Sequence, residues 1–562
     1  MKFFGTVHSD SQRNCGFAFL WHVCVAILGL GGLLFTASPA GAASCEELSA
    51  SLKLPNTTIT LAQTVAAGGF AATMGGGGGA AAKAFANLPE FCRVTADITP
   101  TSDSDIKIEV WMPVLGWNGK YQGRGNGGFA GQINYAGLAD SLEHGFATAS
   151  TDTGHAGNGG DASWALGHAE KMTDFGYRGI HLMTVEAKAI ITAFYGGVVR
   201  RSYFSSCSNG GRQALMEAER FPEDYDGIIA GAPANFWTHL LATAVWNIQA
   251  TQSDPASYIP ASKIPAIGAA VVAACDARDK VSDGIINEPP RCNFDPAQLL
   301  CKEKDSDACL TAPQLTALKK IYSGPHDSKG EKIFPGFSVG GEEGPGGWPL
   351  WVTGPAPGKS LQFIFGNGFF SDMVFGDPAW DFRTFNFDTG MKALDEKYAV
   401  TFNAASADLK AFEKRGGKLI IYHGWSDAAI PPVNSVNYYN NVVETVGGVK
   451  AKDFLRLYMV PGMQHCSGGP GPDSFGQEGS TPVAADPQHS VQSALEQWVE
   501  KHDGPHQIIA TKFKNEMDPT QGVKMTRPLC PFPQVSLYKG AGDTNDAGSF
   551  ECVEPDKVAT KK

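Results

Sequence analysis

Apolar and polar positions alternate along Ile106 to Val114 and along Phe146 to Thr151, the period of two that marks extended strands. Tyr177 to Tyr195 instead repeats its apolar residues at helical spacing and runs into Gly196-Gly197, a glycine stop. Arg201 to Ser206 reads as a short strand, Asn209 to Arg220 has helical composition, and Tyr225 to Ala232 is a continuous apolar run of strand length. Strand, sharp turn, helix, strand is the alternation expected of an α/β protein with a mostly parallel sheet. Lys120 to Gln122 adds a further short strand ahead of a glycine-rich turn.

The texture changes after about residue 240. From there to about residue 395 the chain is rich in Pro, Gly and aromatics, holds four cysteines and gives few strand signals. Regular α/β patterning returns at Gly417 to His423 and Phe454 to Val460, followed by an amphipathic helix at Gln488 to His502. This pattern predicts one α/β domain in two parts, residues 43–240 and 396–562, interrupted by an insertion at 241–395. Ala66 to Ala82, with its run Gly75 to Gly79, reads as a flexible loop, and no internal repeat is found.

Composition narrows the class. The chain has 562 residues, 43% apolar and 18% charged, with a net charge of −12. No basic footprint points to nucleic acid. Lys2 and Arg13 precede an apolar run from Phe17 to Phe35 that ends near Ala40-Gly41-Ala42, so residues 1–42 read as an export signal, with a retained membrane anchor as the alternative. No later segment is apolar enough to span a bilayer. A secreted or periplasmic location follows from that reading. Of twelve cysteines, Cys15 and Cys24 leave with the signal, and ten remain, an even number in an exported chain. Sequence neighbourhood suggests Cys45–Cys92, Cys275–Cys292, Cys301–Cys309 and Cys530–Cys552, with Cys207–Cys466 as the one long-range pair.

The candidate chemistry sits beside that long-range pair. Ser208 follows Cys207 on a strand-to-helix turn, Ser206-Cys207-Ser208-Asn209-Gly210, close to the G-x-S-x-G pattern but with Ser in the first place. His465 precedes Cys466 in a glycine-rich loop, Pro461 to Gly471, and Asp427 follows the strand Lys418 to His423. The order Ser, Asp, His is that of α/β-hydrolase triads. Ser208 would be the nucleophile, His465 its base and Asp427 the group that orients His465, with Asp453 as a weaker rival for the acid. An oxyanion needs backbone donors, which the N–H of Asn209 and of Gly128, or its neighbour Gly127, would supply. A second constellation spans Cys275 to Ile285. Asp276, Asp279 and Asp283 would offer carboxylates, and Val281 and Ile285 backbone carbonyls, to a hard cation such as Ca²⁺; a solvated acidic turn is the plain alternative.

Taken together these residues resemble the tannase and feruloyl esterase family. The marks are Cys207-Ser208 in Cys-Ser-Asn-Gly-Gly-Arg, Asp427, His465-Cys466 in Pro-Gly-Met-Gln-His-Cys, Phe221-Pro-Glu-Asp-Tyr-Asp-Gly, and Phe375-Gly-Asp-Pro-Ala-Trp-Asp. The resemblance covers essentially the whole chain after the signal. It implies an α/β-hydrolase fold with a large lid inserted after the nucleophile half, structural Ca²⁺ bound by Asp276, Asp279, Val281, Asp283 and Ile285, and the disulfides named above. It also implies an acyl-enzyme on Ser208 and an aromatic ester as the small-molecule substrate, such as a gallate or ferulate ester of plant origin. Trp246, Trp348, Trp351, Phe363, Phe365, Phe369 and Phe370 are the lid aromatics available to pack an aromatic acyl group. Similar terephthalate half-ester hydrolases hold a free carboxylate with a lid arginine. The corresponding stretch, Gly358 to Phe375, holds Lys359 and no Arg. A serine peptidase or lipase, and a catalytically silent binding protein of the same fold, are the competing readings.

Overall fold

The computed structural model describes residues 43–71 and 85–554. Residues 1–42, where an export signal is predicted, and the glycine run Gly75 to Gly79 lie outside the described residues.

Nine strands form the main sheet: β1 (Thr57–Val65), β2 (Phe91–Ile98), β3 (Ile106–Pro113), β4 (Lys120–Arg124), β5 (Ala147–Thr151), β6 (Arg201–Cys207), β7 (Gly227–Gly231), β8 (Lys418–Gly424) and β9 (Leu455–Val460). Their order is β1-β2-β3-β5-β4-β6-β7-β8-β9. The first three form an antiparallel meander and β3 meets β5 antiparallel. From β5 to β9 every neighbour is parallel. The helices used below are α1 (Tyr135–Glu143), α2 (Gly179–Tyr195), α3 (Asn209–Arg220), α4 (Trp237–Gln252), α5 (Ile264–Cys275), α6 (Ala312–Ser323), α7 (Leu361–Gly368), α8 (Phe387–Phe402), α9 (Val433–Val446) and α10 (Val491–Lys501).

The parallel strands are buried along almost their whole length because both faces are covered, as parallel sheets require. Their two-residue period sorts the side chains between two cores. Phe204, Ile228, Leu419, Ile421 and Leu457 enter the core beneath α2, α3 and α9. Tyr203, Ile229, Ile420, Tyr422 and Tyr458 enter the core beneath α10. Helix α2 supplies Ile180, Met183, Ala187, Ile190 and Ile191 at spacings of three and four, and stops where Gly196 turns left-handed at φ 65°. A π-helical turn at Asp174–Arg178 leads into it, so the helical stretch predicted from Tyr177 begins slightly earlier. The helix predicted at Gln488 to His502 is shorter, because the Ser490 side chain caps its start and His502 turns left-handed at φ 59°.

Residues 232–417 join β7 to β8 and add no strand to the main sheet among the described residues. This insert is helical and aromatic: Phe369, Phe370, Phe382, Phe385 and Phe402 form one core with Trp237 and Leu241 of α4. The positions 240/241 and 395/396, drawn from composition, fall inside α4 and α8. Beyond α10 lie two hairpins that the hydrophobic pattern did not reveal, β10 (Ile508–Phe513) with β11 (Val523–Leu529), and β12 (Val535–Tyr538) with β13 (Phe550–Val553). Lys524, Arg527 and Pro528 break the apolar signal of β11. All five predicted disulfides are formed.

Helix α3 lies so close to the end of β7 that a Cβ on Gly211 would sit 2.3 Å from the Gly231 carbonyl oxygen and 2.9 Å from Pro233 Cα. Both are backbone atoms that cannot swing aside. Gly211→Ala is expected to destabilise the protein by about 1–3 kcal/mol, read as a lower denaturant midpoint at unchanged slope. An unchanged midpoint would show that the helix can move away freely.

Candidate active site

Three loops at the C-terminal ends of β6, β8 and β9 meet at one point. Ser208 occupies the turn between β6 and α3 with φ 67° and ψ −125°, a backbone region that non-glycine residues rarely adopt. The turn is held from both sides: Ser208 N–H donates to the Gly231 carbonyl at 2.9 Å, and the Ser208 carbonyl accepts from the Ala234 N–H at 3.1 Å. The positive φ lifts the hydroxyl out of the helix start. A Cβ on Gly210 would lie 2.0 Å from Ser206 Oγ, so only glycine fits behind the turn.

His465 Nε2 lies 2.9 Å from Ser208 Oγ, and its Nδ1 lies 2.8 Å from Asp427 Oδ2. Asp427 is buried in the loop after β8, where its other oxygen, Oδ1, accepts from the N–H groups of Ala429 at 2.7 Å and Ile430 at 2.9 Å. Burial acts to raise this carboxyl, and the facing His465 and His423 more than offset it, holding Asp427 well below the usual carboxylate range. A carboxylate there accepts from Nδ1–H, which leaves Nε2 free to take a proton from the hydroxyl. Asp453, the weaker sequence candidate, lies in the short helix Gly448–Phe454, where its carbonyl accepts from Lys418.

The Cys207–Cys466 disulfide joins the residue before Ser208 to the residue after His465, with Cα atoms 6.0 Å apart. Cys466 itself has a positive φ of 64°. The two loops are therefore locked to each other beside the reacting pair, which fixes their geometry before any ligand arrives.

Asn209 is the first residue of α3, so its N–H has no partner one turn earlier in the helix. Its side-chain Oδ1 accepts from Arg212 Nε at 2.7 Å. Arg212 is fully buried with no carboxylate partner among the described residues; its guanidinium donates to the carbonyls of Phe175, Gly176 and Phe402 and lies over the Phe175 and Trp237 rings. The turn 123–128 is tied to α3 by Gln213, whose Oε1 accepts from Asn126 N–H at 3.0 Å. Gly128 has φ 56°, and a Cβ there would sit 2.2 Å from the Gly159 carbonyl oxygen. Gly128, Asn209, Ser208 and His465 all line one cavity; Gly127 does not. Two backbone donors beside a serine and its imidazole can stabilise the oxyanion of an acyl-transfer reaction.

The cavity, ≈ 580 Å³ including its open mouth, is covered by the insert. Trp351 and Phe365 line it, as the sequence allowed, together with Trp237, Leu241 and Phe337, which it did not single out. Trp351 meets His465 edge-on with ring centroids 5.0 Å apart. The other named aromatics do not line the cavity: Trp348, Phe369 and Phe370 are buried core, Phe363 packs on Phe382, and Trp246 packs on Phe387. His465 apart, no ionisable residue lines the cavity among the described residues, and Lys359 is exposed outside it.

The acidic loop after α5 gathers oxygen donors. Asp276 Oδ1 accepts from Gly284 N–H at 3.0 Å, Asp279 Oδ1 from Val281 N–H at 3.0 Å, and Asp283 Oδ1 from Ile285 N–H at 3.1 Å. Burial, with the Asp283 and Asp276 carboxylates adding to it, pushes the Asp279 carboxyl up to about 7. Arg527 reaches Asp283 Oδ2 at 2.7 Å. Three neighbouring carboxylates against one guanidinium leave a net negative charge in this loop, the kind of charge a hard cation would neutralise.

His423 was missed from the sequence. It lies fully buried in β8, and its Nε2 is 3.2 Å from Asp427 Oδ2.

Known proteins resemble this chain over most of its length. The family model described as tannase and feruloyl esterase matches residues 92–553. The chain is 43% identical over 557 residues to an uncharacterized esterase of Xanthomonas campestris pv. campestris, covering 95% of each chain. It is 30% identical over 537 residues to a probable feruloyl esterase B-2 of Aspergillus terreus, covering 95% of this chain and 99% of the relative. Among solved structures, feruloyl esterase B from Aspergillus oryzae superposes with a TM-score of 0.81 at 28% identity, covering 91% of this chain and 99% of that one.

Replacing both Cys207 and Cys466 by Ala is expected to slow the reaction of Ser208 with a fluorophosphonate by about 100-fold, while far-UV circular dichroism at the same temperature stays unchanged. Labelling at the wild-type rate would show that the bridge does not set the Ser208–His465 geometry.

Proposed function

The chain belongs to the tannase and feruloyl esterase family and is a carboxylic ester hydrolase, and from that premise we propose that it cleaves aromatic hydroxycinnamoyl or hydroxybenzoyl esters through an acyl-enzyme on Ser208. The observation that supports this most is the Ser208–His465–Asp427 hydrogen-bonded series, opening onto an apolar cavity lined by Trp237, Trp351 and Phe365.

In the proposed reaction Ser208 Oγ attacks the ester carbonyl while its proton passes to His465 Nε2. The new C–O bond leaves a tetrahedral oxyanion, which the N–H groups of Asn209 and Gly128 receive. Collapse breaks the bond to the alcohol, which departs with the proton from His465. Water then gives a proton to His465 and attacks the acyl group. The second tetrahedral intermediate releases the carboxylic acid and returns the proton to Ser208. Asp427 stays ionised throughout and steadies the imidazolium.

The aromatic acyl group is placed against Trp351 and Phe365, where ring packing and loss of water favour it. The uncharged lining argues against the terephthalate half-ester reading, because a free carboxylate buried without a partner is costly. The five disulfides support export to an oxidising compartment, secreted or periplasmic. Ca²⁺ would be held by Asp276, Asp279 and Asp283 with the carbonyls of Val281 and Ile285, and would neutralise that loop as a structural ion.

Purified protein is expected to hydrolyse methyl ferulate or methyl gallate with kcat/KM at least about 100-fold above that for a terephthalate half-ester, and Ser208→Ala is expected to lose about 10³-fold or more in kcat. Preference for the half-ester would overturn the acyl assignment, and full activity in Ser208→Ala would overturn the mechanism. Chelation with EGTA is expected to lower Tm, and Ca²⁺ at about 100-fold over its Kd to restore about 2.7 kcal/mol. A Tm indifferent to both would leave the acidic loop as a solvated turn.

A further inference from the structure

Asp427 is braced by a second imidazole that the reaction itself does not use. A carboxylate offers about four acceptor sites. Oδ1 fills two of them with the N–H groups of Ala429 and Ile430, and Oδ2 fills a third with His465 Nδ1–H. The fourth faces His423. Its Nε2 lies 3.2 Å from Asp427 Oδ2 and 3.2 Å from the Ile430 carbonyl oxygen. Both neighbours are acceptors, so the proton belongs on Nε2, shared between them. Nδ1 is then left to accept from the Ser435 hydroxyl at 2.7 Å. These roles follow from the partners of each ring nitrogen.

The arrangement spans three elements. His423 sits at the end of β8, Asp427 in the loop beyond it, and Ser435 in the first turn of α9. Both side chains of the His423–Asp427 pair are fully buried, so water cannot substitute for a lost donor. The backbone donors hold Oδ1 alone, and without His423 the oxygen that orients His465 would have no second anchor. A buried histidine that merely filled the core would be satisfied by Ile430 and Ser435, and would have no need to face the carboxylate.

We infer that His423 is a positioning residue of the esterase reaction, anchoring Asp427 Oδ2 so that Asp427 in turn holds His465 toward Ser208. This rests on the proposed acyl-enzyme reading. The titratable groups that face His423 are Asp427 and, through it, His465; Ser435 and the Ile430 carbonyl complete its surroundings. Removing the donor leaves Asp427 a stronger base. A stronger base binds protonated His465 more tightly, so the neutral form that accepts the Ser208 proton appears only at higher pH.

The test uses His423→Leu, which removes the donor, and His423→Gln, whose side-chain amide nitrogen can replace Nε2. His423→Leu is expected to lower kcat by about 10- to 100-fold, with KM little changed and the acidic limb of kcat/KM moved to higher pH. His423→Gln is expected to recover most of both. A folded His423→Leu variant with wild-type kcat and an unmoved acidic limb overturns the inference. Should His423→Leu fail to fold, Ser435→Ala frees the ring while leaving the core filled, and the same two readouts decide. Fluorophosphonate labelling of wild-type Ser208 keeps the two readings apart. Labelling at Ser208 with an indifferent His423→Leu overturns the positioning role alone, whereas absence of labelling overturns the esterase mechanism beneath it.

Discussion

The buried carboxylate of Asp427 is the charge on which the site depends. It is 1% exposed, and burial without partners would raise it strongly. Two backbone N–H groups and two imidazoles surround it instead, and the balance leaves it ionised far into acid. Its folded value lies below its unfolded one, near about 3.9. Its contribution to stability is therefore present above that value and is lost only as pH falls through the lower folded one. An ionised Asp427 gives His465 one settled tautomer, with Nδ1–H directed at the carboxylate and Nε2 directed at Ser208.

The remaining geometry follows from strand ends. Parallel strands β6, β8 and β9 deliver Ser208, Asp427 and His465 to the same edge of the sheet, the edge where α/β proteins place their ligands. Strain at Ser208 is offset by the hydrogen bonds that hold its turn to Gly231 and Ala234. The Cys207–Cys466 bridge removes the freedom of the His465 loop relative to that turn. The insert between β7 and β8 then roofs the site with aromatic side chains and, among the described residues, leaves no ionisable group beyond His465 to meet the acyl group. The same framework thus explains both a reactive serine and a preference for uncharged aromatic esters in the proposed function.

Ser208, Asp427 and His465 were legible because each stands in a short segment of unusual composition: small residues around Ser208, a strand-end loop at Asp427, a glycine-rich loop at His465. The five disulfides were legible by the same economy, four of them between near neighbours in sequence. Strands β6 to β9 showed as short strand-like runs, and helix α3 through its helical composition. Other features depend on distance in space and left no local mark. His423 reads as one polar residue at the end of an apolar strand, and its partner Ser435 lies twelve positions later on another element. Trp237 and Phe337 line the cavity only because the insert folds over the sheet, and Trp348, Phe369 and Phe370 look identical in sequence yet support it from within. Of the two terminal hairpins, the first was hidden because Lys524, Arg527 and Pro528 interrupt β11, and the second because β12 and β13 are only four residues each.

The measurement closest to the central claim is mass spectrometry of the peptide bearing Ser208, after turnover of methyl ferulate is stopped with acid. The account predicts a feruloyl ester on Ser208 that disappears when the substrate is exhausted. Turnover with no adduct, or with the acyl group on another residue, would contradict it.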